Sequence, residues 1–504
     1  MNLKKQAMLL VGVSVFVQTG FSEFCLRSCA AGNVPAGIRY SADRCFVSNA
    51  EICRSETSDQ DEIGDQIQAY YAEKLEKFAA FSLERYLYDD SAKAEKDQKS
   101  APVLSWDRSK LLPKRWYAGD SGKKPTVRSQ GAYGTCWALT AVSALEAALL
   151  PEEELVFSAD HLVYQNAFTA EIDEGGDYLM MMAYLSGWQG PVLEEQDPYG
   201  DGESPADLQP TVHVQEMQIL EQASVGQLKE AVYQYGAVQT SLYLSRETTK
   251  AGNGFYQPDT CGYYYPEQKQ QNHDILILGW DDQFSRFRFA QVPDQDGAFI
   301  CQNTWGEFFG EDGIFYVSYA DANIGVTGIV YNRIESVDNY DHLYQTDDCG
   351  WQGRQGYADE SCWMANVYTA EQNETLSAFG FYATGKNTAY ELYLVKGFCG
   401  EDSFDERIFL QRGTLQEAGY YTVDLEQPVS LIQGEQFAVI VHITTPDSEN
   451  PVAVEYAADQ YTQNVTLEGK NGYLSQYGEN WEHTESKFST NVCLKAYTRD
   501  WIGY

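Results

Sequence analysis

One cysteine, Cys136, stands in a setting that suits chemistry. It follows the turn-prone stretch QGAYGT (130–135) and precedes Trp137 and a helix-forming run rich in alanine and leucine. The chain has 11 cysteines, and no other has this setting. The dipole and the unpaired N–H groups of a helix N-terminus stabilise a thiolate, which lowers the pKa of the thiol. The sequence therefore predicts that Cys136 is a nucleophile at neutral pH.

A thiol nucleophile needs a base that takes its proton and a group that orients this base. Of the six histidines, only His273 opens a buried-strand pattern, NHDILILGW. Further along the chain, Asn303 stands two residues before Trp305, so that an amide lies close to an aromatic ring. The sequence thus offers His273 as the candidate base.

The elements that must position these residues change character along the chain. Apolar residues recur at helical spacing over 137–149, before Pro151, and Ser158 is a natural N-cap for a second helix. The pattern then becomes that of strands, at 238–243, 275–278 and 314–317. Helices followed by strands predict an α+β domain with a cleft where its two halves meet.

From about Asp338 the pattern changes again. Short strand-like runs alternate with turns that contain Gly, Asp and Asn, and they lie at 390–395, 420–425 and 437–443. No helix pattern comparable to that of the first half follows. An all-β sandwich is the expected fold of this part.

The charge narrows the range of partners. Lys and Arg number 35 and Asp and Glu 74 in 504 residues, a formal net charge of −39. This charge argues against nucleic acids and anionic membranes, and it favours a soluble protein outside the cell. Acidity that serves solubility alone is the simpler explanation of the charge.

The N-terminus indicates export. Two lysines precede an apolar run from Ala7 to Val17, and the small residues Gly20 and Ser22 offer a cleavage site. The run has the length of a signal-peptide core and is short for a membrane span. Residues 1–22 are therefore predicted to be a signal peptide, with an uncleaved membrane anchor as the alternative.

Export makes disulfide bonds plausible. Apart from Cys136, ten cysteines remain, an even number, and the sequence does not give their pairing. Four near the N-terminus are candidates for a small disulfide-bonded knot, since their spacing lacks the Cys-x-x-Cys pair typical of zinc sites. These four are Cys25, Cys29, Cys45 and Cys53.

The residues singled out so far resemble the sequence blocks of the papain family of cysteine peptidases, and they occur in the family's order. A glycine pair is similar to the one that lets substrate backbone pair with the cleft of these enzymes. The matching residues are Gln130, Cys136-Trp137, Gly175-Gly176, His273, and Asn303 with Trp305-Gly306.

The resemblance implies a two-lobed papain-like fold, with a helical left lobe and a β-barrel-like right lobe. The Cys136 thiolate would attack the scissile carbonyl, and His273 would pair with it as imidazolium and protonate the leaving amine. Asn303 would orient His273, and Trp305 would shield their hydrogen bond from water. The Gln130 side chain and the Cys136 N–H would hold the oxyanion.

The sequence departs from the family pattern in two places. Tyr133 replaces a cysteine that usually stands three positions before the nucleophile, and the usual bridge partner is absent too. We therefore expect packing around Tyr133 and Trp137 to hold the loop. Asp274 stands where a small residue is common, and its carboxylate is predicted to raise the pKa of the neighbouring imidazolium.

The C-terminal part resembles, more loosely, the lectin-like domain that follows papain-type domains in some bacterial secreted proteins. The similarity lies in CWMANVYTA (362–370) and ETLSAFGFY (374–382). Four aromatic residues are candidates for stacking on sugar rings, with ordinary packing as the alternative. They are Tyr368, Tyr420, Tyr421 and Trp481.

Four segments are expected. They are a signal peptide (1–22), a cysteine-containing N-terminal extension or propeptide with a helix (23–110), a papain-like peptidase domain (111–336) and a lectin-like β-sandwich (338–500).

The expected function is that of a secreted cysteine endopeptidase, extracellular or at the cell surface, which cleaves protein or peptide substrates. The β-sandwich would target it to substrates or a surface, with glycans as candidate partners. No metal, cofactor or nucleic acid is expected, nor an integral membrane protein after processing. The alternatives are a catalytically idle papain-like adhesin or binding protein, and a papain-fold transferase. The intact set of site residues argues against the first, and Asn303 in place of Asp against the second.

Overall fold

The computed structural model describes residues 38–40, 112–244 and 254–501. The predicted signal peptide, the four N-terminal cysteines and nearly all of the predicted N-terminal extension lie outside these residues. The interpretations of those segments therefore stay predictions. Within the described ranges, no helix combines the length and the apolar character that a bilayer crossing requires.

The described ranges hold five α-helices, four of them in the first half of the chain. They are α1 (Cys136–Leu149), α2 (Ala159–Tyr164), α3 (Tyr178–Ser186), α4 (Val225–Tyr235) and α5 (Thr484–Phe488). The predicted first helix is confirmed, and it ends just before Pro151. The N-cap of α2 is confirmed as well, because the Ser158 hydroxyl accepts a hydrogen bond of 3.0 Å from the His161 N–H.

Strands dominate the rest of the described structure. In the first part of the chain they are β1 (Ile38–Tyr40), β2 (Arg115–Tyr117), β3 (Val212–Glu221), β4 (Val238–Leu242), β5 (Tyr256–Gln257), β6 (Gly262–Tyr263), β7 (His273–Asp281), β8 (Ala298–Gln302), β9 (Ile314–Ser318) and β10 (Thr327–Ser336). In the second part they are β11 (His342–Tyr344), β12 (Gly353–Gln355), β13 (Ser361–Thr369), β14 (Glu374–Ala383), β15 (Thr388–Lys396), β16 (Ile408–Leu415), β17 (Ala418–Leu431), β18 (Gln436–Thr444), β19 (Val452–Glu455), β20 (Gly472–Ser475), β21 (Glu482–His483), β22 (Asn491–Val492) and β23 (Leu494–Asp500).

Helix α1 lies between two hydrophobic cores. Its Leu139 and Leu145 pack with α2 and α3 in one core, to which β3 and β10 also contribute. Its first residue, Cys136, belongs to the other core, which β4, β7, β8, β9 and α4 build. The helix has few polar residues to place in water, and 12 of its 14 residues are buried. The start of α1 is therefore fixed at the boundary of the two halves, as the predicted α+β arrangement requires.

A single 13-stranded sheet runs through both parts of the chain. Its order is β11-β23-β14-β17-β3-β10-β4-β7-β8-β9-β6-β5, and β2 pairs with β7. The junction lies between β17 and β3, where Gly419 pairs with Gln218 and Tyr420 with Met217. Next to it, the Thr422 hydroxyl donates a hydrogen bond of 2.6 Å to the Gln215 side chain. The second part of the chain thus continues the sheet of the first.

The second part is a β-sandwich, as the sequence predicts. A six-stranded sheet, β16-β15-β18-β13-β20-β21, packs on β14, β17 and β23 of the long sheet. Met364, Phe379 and Leu392 lie in the core between these sheets and are 0–1% exposed. A four-stranded sheet, β1-β12-β19-β22, completes this part. Besides strands, the described residues of this part hold the five-residue helix α5 and a six-residue 3-10 helix, Glu401–Glu406.

Two further predictions are not confirmed by the described residues. The four aromatic residues proposed to stack on sugars are at most 9% exposed, because they pack inside the sheets. The Tyr368 hydroxyl, for example, donates a hydrogen bond of 2.6 Å to the Leu494 carbonyl. No disulfide bond joins any two of the seven cysteines in the described ranges, so the prediction of disulfides is not confirmed there.

Candidate active site

The loop before Cys136 is fixed by hydrogen bonds to the other half of the domain. The Gln130 N–H donates to the Thr304 carbonyl over 2.8 Å. Tyr199, to which the sequence analysis assigns no role in the site, holds the loop at two points. Its hydroxyl donates to the Gln130 carbonyl over 3.0 Å and lies 2.5 Å from the Thr135 hydroxyl. These contacts place Cys136 at the first turn of α1.

The prediction that packing around Tyr133 and Trp137 holds the loop is incomplete, because Tyr199 holds the loop as well. The Tyr133 ring packs edge-on against Tyr199 at a centroid distance of 6.4 Å, so Tyr133 does contribute. The hydroxyl of Tyr199 adds the polar anchors that replace the missing bridge. In the sequence, Tyr199 ends the segment 197–199, DPY, which lies between the predicted second helix and the first predicted strand and fits the family's order of blocks.

His273 and Asn303 meet although they are 30 residues apart. β7 begins at His273 and β8 ends at Gln302, and because these strands are antiparallel neighbours, the start of one lies beside the end of the other. The His273 Nε2 atom lies 2.7 Å from the Asn303 Oδ1 atom. With this oxygen as acceptor, the imidazole carries its proton on Nε2, and Nδ1 is the ring nitrogen that can accept another proton.

Trp305 covers this pair. Its ring centroid lies 5.1 Å from that of His273, and the indole is 2% exposed. Phe309 packs edge-on against the other side of the indole at a centroid distance of 5.1 Å. The predicted shielding of the His273–Asn303 hydrogen bond from water therefore fits the geometry of Trp305.

The Gln130 side chain is held by two hydrogen bonds. Its Nε2 donates to the Tyr133 carbonyl over 2.7 Å, and its Oε1 accepts from the Thr304 hydroxyl over 2.6 Å. An amide nitrogen carries two protons, so one remains to contact an oxyanion. Thr304, which sequence reasoning missed, thus fixes the orientation that the predicted role of Gln130 needs.

The glycine pair lies directly against the indole that follows the nucleophile. A Cβ atom on Gly176 would lie 2.3 Å from Trp137 Cε2, so any side chain there would collide with this ring. Gly175 has a φ of +88°, which favours glycine. The structure thus brings Gly176 next to Trp137, the residue after Cys136, and the sequence predicts that this glycine pair binds substrate.

The electrostatics of the site differ from the prediction. Cys136 is 0% exposed and His273 is 1% exposed. Burial raises the pKa of the Cys136 thiol well above its ordinary value, and the negative charge of Asp274 adds to this rise. The predicted lowering of the Cys136 pKa is therefore wrong, because the loss of water around the thiol outweighs the effect of the helix start.

The predicted effect of Asp274 on the imidazole is wrong as well. Burial lowers the pKa of His273 to about 4, and the hydrogen bond to Asn303 only partly opposes this. The Asp274 carboxylate instead accepts hydrogen bonds from Ser241 and Gln239, on the neighbouring strand β4. Its charge acts on the Cys136 thiol. Burial thus favours the neutral form of the Cys136 thiol and of the His273 imidazole, each taken alone.

The buried imidazole makes folding stability depend on pH. Below its ordinary pKa of 6.5 the unfolded chain binds a proton on His273 that the folded chain takes up only near its lowered pKa of about 4. Stability is therefore expected to fall as pH drops through this window, by about 2 kcal/mol down to about pH 4.5 from this group alone. Urea unfolding of wild type and His273→Gln near pH 7.5 and about pH 4.5 measures the difference. Equal losses in the two proteins would contradict the expectation.

Two family descriptions match the chain. The papain family cysteine protease description matches residues 112–334, and the lectin like domain description matches residues 343–498.

Curated proteases align with the first of these ranges at low identity. Cathepsin S of Bos taurus is 28% identical over 255 residues, which cover 45% of this chain and 72% of cathepsin S. Cysteine proteinase 1 of Zea mays is 26% identical over 235 residues, which cover 43% of this chain and 58% of the maize protein.

Solved structures of Cwp84, a surface layer associated protein of Clostridium difficile, share the whole architecture. Its cysteine protease and lectin-like domains superpose with a TM-score of 0.68 at 22% identity, covering 93% of this chain and 100% of that chain. The structure of Cwp84 after propeptide cleavage gives a TM-score of 0.67 at 24% identity, and the alignment covers 77% of this chain and 99% of that chain. These structures confirm the fold, a two-lobed domain followed by a β-rich lectin-like domain. Residues 112–334 are therefore a papain-like cysteine peptidase domain, and a lectin-like domain follows it at residues 343–498.

Proposed function

We propose that this chain is a secreted endopeptidase that hydrolyses peptide bonds with Cys136, His273 and Asn303. The observation that carries the proposal is the 2.7 Å contact between His273 Nε2 and Asn303 Oδ1. It leaves Nδ1 of His273 to accept the thiol proton. The sulfur of Cys136 lies at the same end of β7, because it accepts a hydrogen bond from the backbone N–H of Asp274, the residue next to His273.

The reaction follows from these positions. The Cys136 thiol gives its proton to His273, and the thiolate attacks the carbonyl carbon of the scissile peptide bond. The oxyanion accepts hydrogen bonds from the Cys136 N–H and the remaining Gln130 amide proton. His273 then protonates the leaving amine, which breaks the C–N bond and leaves a thioester on Cys136. Water, deprotonated by His273, hydrolyses the thioester and restores the thiol.

The Cys136 thiol and the His273 imidazole are expected to ionise as a pair. Separately, each buried charge would be costly, which is why burial raises the thiol pKa and lowers the imidazole pKa. A thiolate and an imidazolium formed together compensate each other, and Asn303 stabilises the imidazolium through Nε2. The catalytic form is therefore the pair in which both groups are charged.

The segments proposed from the sequence fit this function. They are a signal peptide (1–22), an N-terminal extension or propeptide (23–110), the peptidase domain (111–336) and the lectin-like domain (338–500). Support for export comes from the N-terminal lysines and apolar run, and from Cwp84, which is surface layer associated. We place the protein outside the cell or at the cell surface. A glycan partner of the lectin-like domain would have to contact residues other than the four buried aromatics.

Active-site labelling tests the proposal. A peptide carrying a thiol-reactive epoxide is expected to modify Cys136 alone among the 11 cysteines and to stop hydrolysis of a fluorogenic peptide in proportion to labelling. Mass spectrometry of the digested adduct locates the label. A protein that neither takes the label at Cys136 nor cleaves peptides, before or after processing, would be an idle adhesin or binding protein instead.

A further inference from the structure

A serine, a histidine and a glutamate meet on one face of the lectin-like sandwich. They are Ser361 on β13, His442 on β18 and Glu391 on β15, and these strands are neighbours in the six-stranded sheet. His442 pairs directly with Glu391. Ser361 pairs with Thr444, which follows His442 by two residues. Because paired residues, and residues two apart on a strand, lie on the same face of a sheet, the three side chains lie together.

This face points away from the core of the sandwich and is open to solvent. The alternate residues of the same strands lie in that core, and they include Cys362, Leu392 and Val441. Ser361 is half-buried, and the side chains of His442 and Glu391 are 25% and 33% exposed. A molecule from solution can therefore reach the group.

Hydrogen bonds join the three groups in a defined order. The Ser361 Oγ atom lies 2.7 Å from Nε2 of His442, and Nδ1 of His442 lies 3.2 Å from Oε2 of Glu391. Hydrogen bonds from His442 and Tyr393 hold the pKa of the Glu391 carboxyl below its ordinary value, so this carboxylate is an acceptor at neutral pH. Nδ1 of His442 therefore carries a proton, and Nε2 accepts the hydrogen bond of the Ser361 hydroxyl. The same order of groups activates the serine of a Ser-His-acid triad.

Neighbouring side chains hold the imidazole and the carboxylate in place. The Trp363 ring stacks on the His442 ring at a centroid distance of 4.3 Å and an interplanar angle of 9°. The Arg407 guanidinium lies over Trp363 in turn, 4.7 Å from the ring centroid. The Tyr393 hydroxyl donates a hydrogen bond of 2.9 Å to Oε2 of Glu391, the same oxygen that faces His442. These contacts fix the plane of the imidazole and the direction of its two hydrogen bonds.

The Thr444 hydroxyl supplies a donor beside the serine. It donates to Ser361 Oγ over 3.3 Å. An oxyanion formed by attack of Ser361 would develop on an atom bonded to the carbon that Oγ attacks, close to this hydroxyl, which could then donate to it. An alcohol leaves an acyl group more readily than an amine does. A site with this donor therefore suits esters rather than peptide bonds.

We propose that Ser361, His442 and Glu391 form a second hydrolytic site, which cleaves carboxylic esters with Ser361 as the nucleophile. The Ser361 hydroxyl gives its proton to Nε2 of His442, and its oxygen attacks the carbonyl carbon of the ester. His442 then protonates the leaving alkoxide, which breaks the C–O bond, releases the alcohol and leaves the acyl group on Ser361. Water, deprotonated by His442, attacks this acyl group, and His442 returns the proton to Ser361 as the carboxylic acid leaves. The activity is independent of Cys136 and does not rest on the proposed peptidase function.

The test uses the full-length Cys136→Ala protein, in which ester hydrolysis at Cys136 is removed. A fluorophosphonate probe, which reacts with activated serine hydroxyls, is expected to label Ser361, and mass spectrometry of the digested adduct locates the label. For para-nitrophenyl acetate, Ser361→Ala and His442→Gln in this background are each expected to lower kcat/KM by about 10²-fold. Glu391→Gln is expected to lower kcat by about 10-fold and to leave KM unchanged, because Glu391 acts through the imidazole.

His342→Gln in the same background is the matched control. His342 lies on β11 of the same domain, its side chain is 23% exposed, and its Nε2 atom lies 2.7 Å from Oδ1 of Asp500. It therefore resembles His442 in exposure and in having a carboxylate partner. We expect its substitution to change the labelling of Ser361 and the hydrolysis of the ester by less than about twofold.

Three results would overturn the proposal. The probe could leave Ser361 unlabelled, or it could label Ser361 as fast in His442→Gln as in His342→Gln. Equal losses of ester hydrolysis in these two variants would assign the reaction to surface histidines in general. Should His442→Gln not fold, Glu391→Gln decides instead, since an unchanged kcat in this variant would separate the carboxylate from the reaction.

Discussion

Replacing Cys136 by alanine is expected to lower kcat for any cleaved peptide by about 10⁵-fold or more, to the level of background hydrolysis. Loss of a nucleophile removes the covalent step altogether, and comparable catalytic units lose about this much. The substitution removes only a sulfur atom from a position that is 0% exposed, so the fold should persist. Steady-state hydrolysis measures kcat, and far-UV circular dichroism measures whether the fold persists.

Cys362→Ala is the matched control for this change. Cys362 on β13 is also 0% exposed, and burial raises its pKa just as it raises that of Cys136. It lies in the lectin-like sandwich, and we expect kcat to change less than about twofold because no reacting group touches it. If Cys136→Ala kept more than about 1% of the activity, or if both variants lost it equally, Cys136 would not be the nucleophile.

The candidate site could be predicted from the sequence because its signals are local. A cysteine at a helix start, a histidine opening an apolar strand and an amide before a tryptophan each need only a few neighbours in the chain. In the structure, Asn303 contacts His273, Trp305 packs against the same imidazole, and Gln130 contacts Thr304. The N-cap at Ser158 is local in the same sense, since its acceptor lies three residues from its donor.

Properties that depend on distant residues could not be predicted in this way. The pKa of Cys136 follows from burial by both halves of the domain, and a helix start alone gives the opposite direction. The Tyr199 hydroxyl forms a hydrogen bond with the loop before Cys136, more than 60 residues earlier in the chain. The charge of Asp274 reaches the thiol because β4 holds the carboxylate on the side of α1, which depends on a strand pairing between positions 241 and 274.

The junction of the two domains is the part of the fold furthest from any sequence signal. Gly419 on β17 pairs with Gln218 on β3, about 200 positions earlier, so that the lectin-like domain is built onto the sheet of the peptidase domain. From the sequence, the lectin-like part is predicted to be a domain separate from the peptidase domain. The structure ties it to β3 by backbone hydrogen bonds, and Lys386 adds a hydrogen bond of 3.1 Å to the Glu221 carbonyl.

Gly419→Ala is therefore expected to destabilise the whole protein. A Cβ atom at this position would lie 2.1 Å from the Met217 carbonyl oxygen and 2.9 Å from Gln218 Cα, both backbone atoms of β3 that cannot rotate away. The strands must separate to admit it, which costs hydrogen bonds as well as packing. We expect the free energy of unfolding to fall by at least about 3 kcal/mol, measured by urea denaturation.

Gly434→Ala is the control that separates the steric clash at position 419 from the backbone strain of replacing a glycine with positive φ. Gly434 also has a positive φ, +79°, but a Cβ atom there meets nothing within 4 Å. Its substitution should cost only about 1 kcal/mol, the strain of a left-handed conformation. Because the sheet is continuous, we expect the two domains to unfold together, and we expect Gly419→Ala to lower the urea midpoint of both. Epoxide labelling of Cys136 and tryptophan fluorescence monitor this unfolding. If Gly419→Ala cost no more than Gly434→Ala, or shifted only the fluorescence transition, the β3–β17 pairing would not couple the stability of the two domains.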